Sequence, residues 1–213
     1  PDRFQPPHDR NAFEFDGDSS YVHVFDQILA LNRSRYTISG WFRSFNDSTE
    51  SPTILNFTVG GKEKGLTIGI KDEKLSLGIG NGSGYTVKAL GPIGGAKLKG
   101  IWNHFVFMKN GNNYKMYLNK NEIYSEDLIN SSLSGVSAQL LMGRSLSGNL
   151  FHGRMDELYI VGDTVSQEQI LSLYYGVSTS LTNKPDDGEL TSFGSDGSFT
   201  YVHSGIGDDF EDN

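Results

Sequence analysis

The chain has 213 residues, a formal net charge of −8 and no cysteine, with 36% of its residues hydrophobic and 21% charged. That balance suits one generous globular domain, or a domain plus a fragment, and excludes a disordered chain. Missing cysteines exclude disulfides, thiolate metal sites and cysteine nucleophiles, the acidic balance speaks against a nucleic-acid partner, and no run approaches the roughly 20 apolar residues of a membrane helix.

Residues 1–11, PDRFQPPHDRN, hold three of the six prolines and read as a linker or an arm laid across the domain. No signal-peptide pattern opens the chain, which is expected of a mature or excised piece. Short strand signals follow at 12–16, 20–25, 36–43, 53–59, 65–71, 74–79, 84–89, 102–109, 113–118, 121–124, 138–143 and 155–161. In YTISGWFR, Tyr36, Ile38 and Gly40 alternate with Thr37, Ser39 and Trp41. Hairpin turns are expected at 71–74 (KDEK) and 109–114 (KNGNNY), where turn residues separate alternating runs. Trp41, Trp102, Phe105, Phe107 and Tyr117 are expected in the core, because each lies inside an alternating strand.

One helix is predicted over 166–174 (SQEQILSLY), with Ser166 as N-cap, Gln169 completing a capping box and Gly176 as the stop. Beyond it the composition turns polar, with β signals at 188–193 (GELTSF) and 197–203 (GSFTYVH) around a GSDG turn. A lone two-stranded hairpin is marginal in water, so this tail is expected to pack on the main domain or to belong to a second one. Many short strands, glycine turns and one late helix predict an all-β fold, a two-sheet antiparallel jelly-roll sandwich. Its first strand region, FEFDGDSSYVHV (13–24), and its last, FHGRMDELYIVGD (151–163), are expected to meet, each bringing carboxylates.

These two segments, together with YTISGWFRS, WNHFVFMKNGNNYKMYLN and LLMGRS between them, resemble in that order the laminin-G-like branch of the concanavalin A-like lectin and glucanase superfamily. The resemblance spans about residues 12–176 and implies the same sandwich. The tail, GELTSFGSDGSFTYVHSGIGDDFEDN, resembles the cadherin-like or immunoglobulin-like repeats of large bacterial (RTX-type) surface adhesins. The implied organisation is an arm (1–11), a laminin-G-like domain (12–176), and a linker with part of a repeat (177–213).

The superfamily resemblance also implies a structural calcium where the first strand region meets the last. Asp156 matches the aspartate of the family's last strand, and Asp16 and Asp18 lie in the opening segment; carboxylate and carbonyl oxygens are what Ca²⁺ takes. Ligand contacts are expected from rim loops that combine an aromatic platform with polar donors, namely 80–85, 109–114 and 143–152, with Tyr85, Arg144, Asn149 and His152 as candidates. Hydrolysis is not expected. A retaining glycosidase needs two carboxyls about 5–5.5 Å apart, and the one-strand E-x-D-x-(x)-E pattern of laminarinase-type members does not occur. Asn-x-Ser/Thr triplets stand at Asn32, Asn46, Asn56, Asn81 and Asn130.

The expectation is therefore a non-catalytic, calcium-stabilised module of a large bacterial surface adhesin, extracellular, binding a glycan or another surface polymer. It would contact neighbouring repeats of its own chain, without nucleic acid and without inserting into membrane. The rivals are a spacer or protein-binding domain with no glycan site, and an accessory domain of a polysaccharide-degrading enzyme.

Overall fold

The computed structural model describes residues 12–24, 34–46, 51–59, 65–80, 85–91, 98–127, 138–175, 188–193 and 199–203. The chain divides into two compact units, Pro1–Ser166 and Gln167–Asn213.

Among the described residues the first unit holds twelve strands: β1 (Phe13–Asp16), β2 (Val22–Val24), β3 (Arg35–Ser44), β4 (Thr53–Val59), β5 (Gly65–Lys71), β6 (Lys74–Gly80), β7 (Tyr85–Gly91), β8 (Trp102–Asn110), β9 (Asn113–Leu118), β10 (Asn121–Asp127), β11 (Ala138–Met142) and β12 (His152–Val161). They form two antiparallel six-stranded sheets. The first runs β1-β12-β3-β8-β9-β10 and the second β2-β11-β4-β5-β6-β7, the jelly-roll sandwich the strand pattern predicts. As expected, the first strand region meets the last: β1 pairs with β12, Phe13 opposite Met155 and Asp16 opposite His152.

Side chains of period two from both sheets make the core. Phe42, Phe105 and Phe107 of the first sheet and Phe57, Ile68 and Leu77 of the second are all buried in one cluster. Each such side chain contributes about 1.5–3 kcal/mol on leaving water. The hairpins follow from turn chemistry. Asp72 (φ 52°) and Glu73 (φ 59°) form a two-residue connection closed by Lys71 opposite Lys74. Asn119 (φ 47°) and Lys120 (φ 68°) make a second one, in the two-residue gap left between the strand signals at 113–118 and 121–124, though it was not singled out as a hairpin. The 109–114 turn closes with Asn110 opposite Asn113 and Gly111 at φ 60°.

Two expectations change. The outward residues of β3 are buried as fully as the inward ones, Thr37 and Ser39 at 1% exposure and Trp41 at 4%, so the outer face of the first sheet is covered along this strand. Trp41 and Tyr117 are thus buried on the outer face of the first sheet, outside the inter-sheet cluster that holds Phe105 and Phe107, and Trp102 is only half-buried. Asn56 lies inside β4 at 3% exposure, its amide donating to Leu66 O and Thr67 Oγ1, so the folded chain withholds it from glycosylation.

The second unit contains α1 (Gln167–Tyr175), which starts directly after Ser166, and an antiparallel hairpin of β13 (Gly188–Phe193) and β14 (Phe199–His203). The N-terminal arm, the GSDG turn, Gly176 and the end of the tail lie outside the described residues.

Candidate functional site

At one end of the sandwich, β1 passes into β2 through residues 17–21 and β11 passes into β12 through 143–151. Asp16 organises the first of these connections. Its carboxylate accepts from the backbone N–H groups of Asp18, Ser19 and Ser20 and from the hydroxyls of Ser19 and Ser20. Those donors, led by the Ser20 and Ser19 amides, hold the Asp16 carboxyl far below the usual carboxylate range. Gly17 sits at φ 77°, and a Cβ there would lie 2.7 Å from the Cβ of His152, so the turn is packed directly against the start of β12.

The second connection is tied to itself. Ser145 Oγ accepts from Asn149 N at 3.1 Å and lies 2.8 Å from Ser147 Oγ, while Ser145 O accepts from Gly148 N at 3.1 Å. Gly143 donates to Ile54 O and Phe151 donates back to Gly143 O. With its backbone so constrained, the loop exposes Leu146, Ser147 and Asn149. The Arg144 guanidinium lies 4.9 Å from the ring centroid of Tyr21, itself 44% exposed. His152 donates its backbone N–H to Asn46 Oδ1 at 2.8 Å and turns an exposed ring edge-on to Phe45, centroids 5.5 Å apart.

Arg144, Asn149 and His152 are therefore gathered at one end. Tyr85 is not: it opposes Gly80 at the far end of the second sheet, where β4 ends at Val59, and residues 81–84 lie outside the described residues. The three aspartates are not gathered either. Asp16 opposes His152, four residues along β12 from Asp156, or about 13 Å of strand. Asp18 is exposed, and Asp156 faces Trp41 with Oδ1 accepting from Glu157 N at 2.8 Å. Among the described residues no three His, Asp or Glu side chains converge as a metal cluster. One calcium shared by Asp16, Asp18 and Asp156 does not fit this arrangement.

Sequence reasoning missed the residues that line the neighbouring edge of the first sheet. Glu14, Arg154, Arg43 and Trp102 stand in one row across β1, β12, β3 and β8, each directly opposite the next and all on the outer face. Arg154 pairs with Glu14 at 3.1 Å; Arg43 donates Nε to Gly100 O at 2.9 Å and lies 5.4 Å from the Phe45 centroid. A faint signal was available, since after Arg35 at its start Arg43 is the one charged residue of β3. Farther in, Ser39 Oγ and His104 Nε2 lie 2.8 Å apart, but both residues are 1% exposed, so no substrate reaches a nucleophile there.

The sequence profile of the concanavalin A-like lectin/glucanases superfamily matches residues 16–171. The chain belongs to that superfamily. No curated protein sequence matches it. Among solved structures, the domain is similar to the CBM40 module of the Ruminococcus gnavus IT-sialidase bound to α2,3-sialyllactose, with a TM-score of 0.60 and 13% identity over 78% of this chain and 97% of that one. It is also similar to the receptor-binding domain of a botulinum neurotoxin of mosaic serotype C/D (TM-score 0.62, 17% identity, 78% of this chain and 42% of that one). The heptameric SAP-like pentraxin of Limulus polyphemus is a further likeness (TM-score 0.57, 13% identity, 76% of this chain and 80% of that one). At such identities these likenesses speak for the fold.

Proposed function

We propose that this member of the concanavalin A-like superfamily is a non-catalytic carbohydrate-binding module. The observation that carries the reading is the gathering of Tyr21 with Arg144, Asn149 and His152 at one rigid end of the sandwich, where aromatic faces stand beside polar groups open to solvent. Sugars are bound by that combination: ring C–H faces pack on aromatic faces while amide, imidazole and guanidinium groups meet the hydroxyls. The fold likeness to a sialidase CBM40 holding sialyllactose supports it. A glycan array probed with the folded domain tests it. Binding that is lost on Tyr21→Ala and Asn149→Ala supports the site; silence on a broad array would favour a spacer or protein-binding role.

The finer proposal places the module in a long extracellular adhesin of a bacterial surface, where many weak sites act together. It rests on the resemblance of the tail to adhesin repeats. Calcium is a separate proposal, centred on Asp156, whose Oδ2 is buried and accepts no hydrogen bond from the described residues. A carboxylate oxygen left in that state suits a hard cation completed by backbone carbonyls and solvent.

A further inference from the structure

Four arginines fall among the described residues, and they divide into two kinds. Arg35 pairs with Asp163 at 3.2 Å and Arg154 with Glu14 at 3.1 Å. Arg43 and Arg144 have no carboxylate partner among the described residues. Each instead lies over an aromatic ring, Arg43 5.4 Å from the Phe45 centroid and Arg144 4.9 Å from that of Tyr21. In a chain with 26 acidic and 18 basic residues, guanidiniums without a carboxylate partner among the described residues go against the overall balance. Both stand at the same end of the sandwich as His152.

Their geometry is that of a prepared anion grip. Arg43 is fixed through Nε, which donates to Gly100 O at 2.9 Å, so its terminal nitrogens are not used in that bond. The ring beneath each arginine restrains the guanidinium plane, and a restrained plane offers two parallel N–H donors to a carboxylate or sulfate. Register keeps the two apart. Arg43 opposes Arg154 within β12, whereas Arg144 bridges to Leu150, four residues earlier in the chain, and the exposed His152 falls between those two partners in sequence.

We propose that the module takes an acidic oligosaccharide, carboxylated or sulfated, held at two points by Arg43 and Arg144. This rests on the carbohydrate-binding reading above and assigns the charge class of its ligand. Calorimetric titration with oligogalacturonate, a heparin oligosaccharide and a neutral dextran oligomer, each at low and physiological salt, tests it. The expected result is binding of one or both acidic probes, weakening with salt, and none of the neutral one. The probe that binds tells carboxylate from sulfate.

Arg43→Gln and Arg144→Gln should each lower affinity about tenfold or more, the loss of a charge-assisted hydrogen bond. Arg35→Gln, which breaks only the pair with Asp163, should leave affinity unchanged. Should Arg43→Gln fail to fold, Arg43→Lys keeps the charge, loses the fork and should still bind more weakly. Equal affinity for the neutral oligomer would overturn the proposal and leave the carbohydrate reading standing. Acidic binding weakened equally by Arg35→Gln would show diffuse charge attraction and overturn it as well. If no saccharide of either class binds, both readings fail together.

Discussion

Ser39 Oγ lies 2.8 Å from Nε2 of His104, on two neighbouring strands and on the face turned away from the inter-sheet core. Burial alone pushes the imidazole down to about 3 from its ordinary 6.5. Between these values the unfolded chain binds a proton that the folded one refuses. The stability His104 contributes is thus complete above pH 6.5 and is lost as pH falls toward 3. Over the full window the loss amounts to a few kcal/mol. Denaturant unfolding measured from pH 7 to pH 4 should show this slope in the wild type, and His104→Gln should flatten it while retaining a partner for Ser39. An unchanged slope in the variant would assign the acid sensitivity to carboxylates instead.

Tyr36 is fully buried among Phe107 and Tyr114, and its hydroxyl has no hydrogen-bond partner among the described residues. Burial holds that hydroxyl far above the usual phenol range, so it stays protonated at every working pH. A buried polar atom without a partner costs about 1–3 kcal/mol. Tyr36→Phe keeps the ring and removes the atom, and should raise stability by about 1 kcal/mol, read as a higher unfolding midpoint. A lower midpoint would mean that the hydroxyl has a partner in solution.

Two glycines of the 143–151 loop separate backbone strain from steric overlap. Gly148 has φ 91° and a Cβ there would meet nothing within 4 Å, while Gly143 has φ 80° and a Cβ there would overlap the Phe15 ring. Gly148→Ala should cost about 1–2 kcal/mol, the left-handed strain alone. Gly143→Ala should cost clearly more, because Phe15 is a core residue that cannot move aside. Equal losses in thermal or denaturant unfolding would count against this loop geometry.

Calcium at Asp156 is open to a direct measurement. A bound ion stabilises the fold by about 2.7 kcal/mol at a hundredfold excess over Kd, so thermal unfolding in millimolar Ca²⁺ should exceed that in EDTA by several degrees. Asp156→Asn should abolish the difference. Without an ion there, removing the charge from an oxygen that accepts no hydrogen bond should leave stability unchanged or raise it, with no response to Ca²⁺.

Much of the fold was legible in the residues themselves. The run from Gly65 to Gly80 reads as two alternating strands around Asp72 and Glu73 because both the period and the turn are local properties. That Arg144, Asn149 and His152 stand together at one end was legible for the same reason, since all three belong to one loop and the start of the strand after it. Tyr85 was grouped with them by chemistry alone, and β7 carries it to the other end of the second sheet. Asp16 and Asp156 were grouped by strand, and the antiparallel register sets them four residues apart.

By itself, then, the sequence determined strand positions, the late helix, the meeting of the first and last strand regions, and the superfamily. The first three rest on patterns local to the chain, and the superfamily on the resemblance of its ordered segments to that family. Only the tertiary structure decided that Trp41 is buried outside the inter-sheet core and that Glu14, Arg154, Arg43 and Trp102 form one row. It alone set Arg144 over Tyr21 and Arg43 over Phe45. The physical reason is that neighbours across a sheet are chosen by register and strand order, which long-range packing settles and local sequence does not encode.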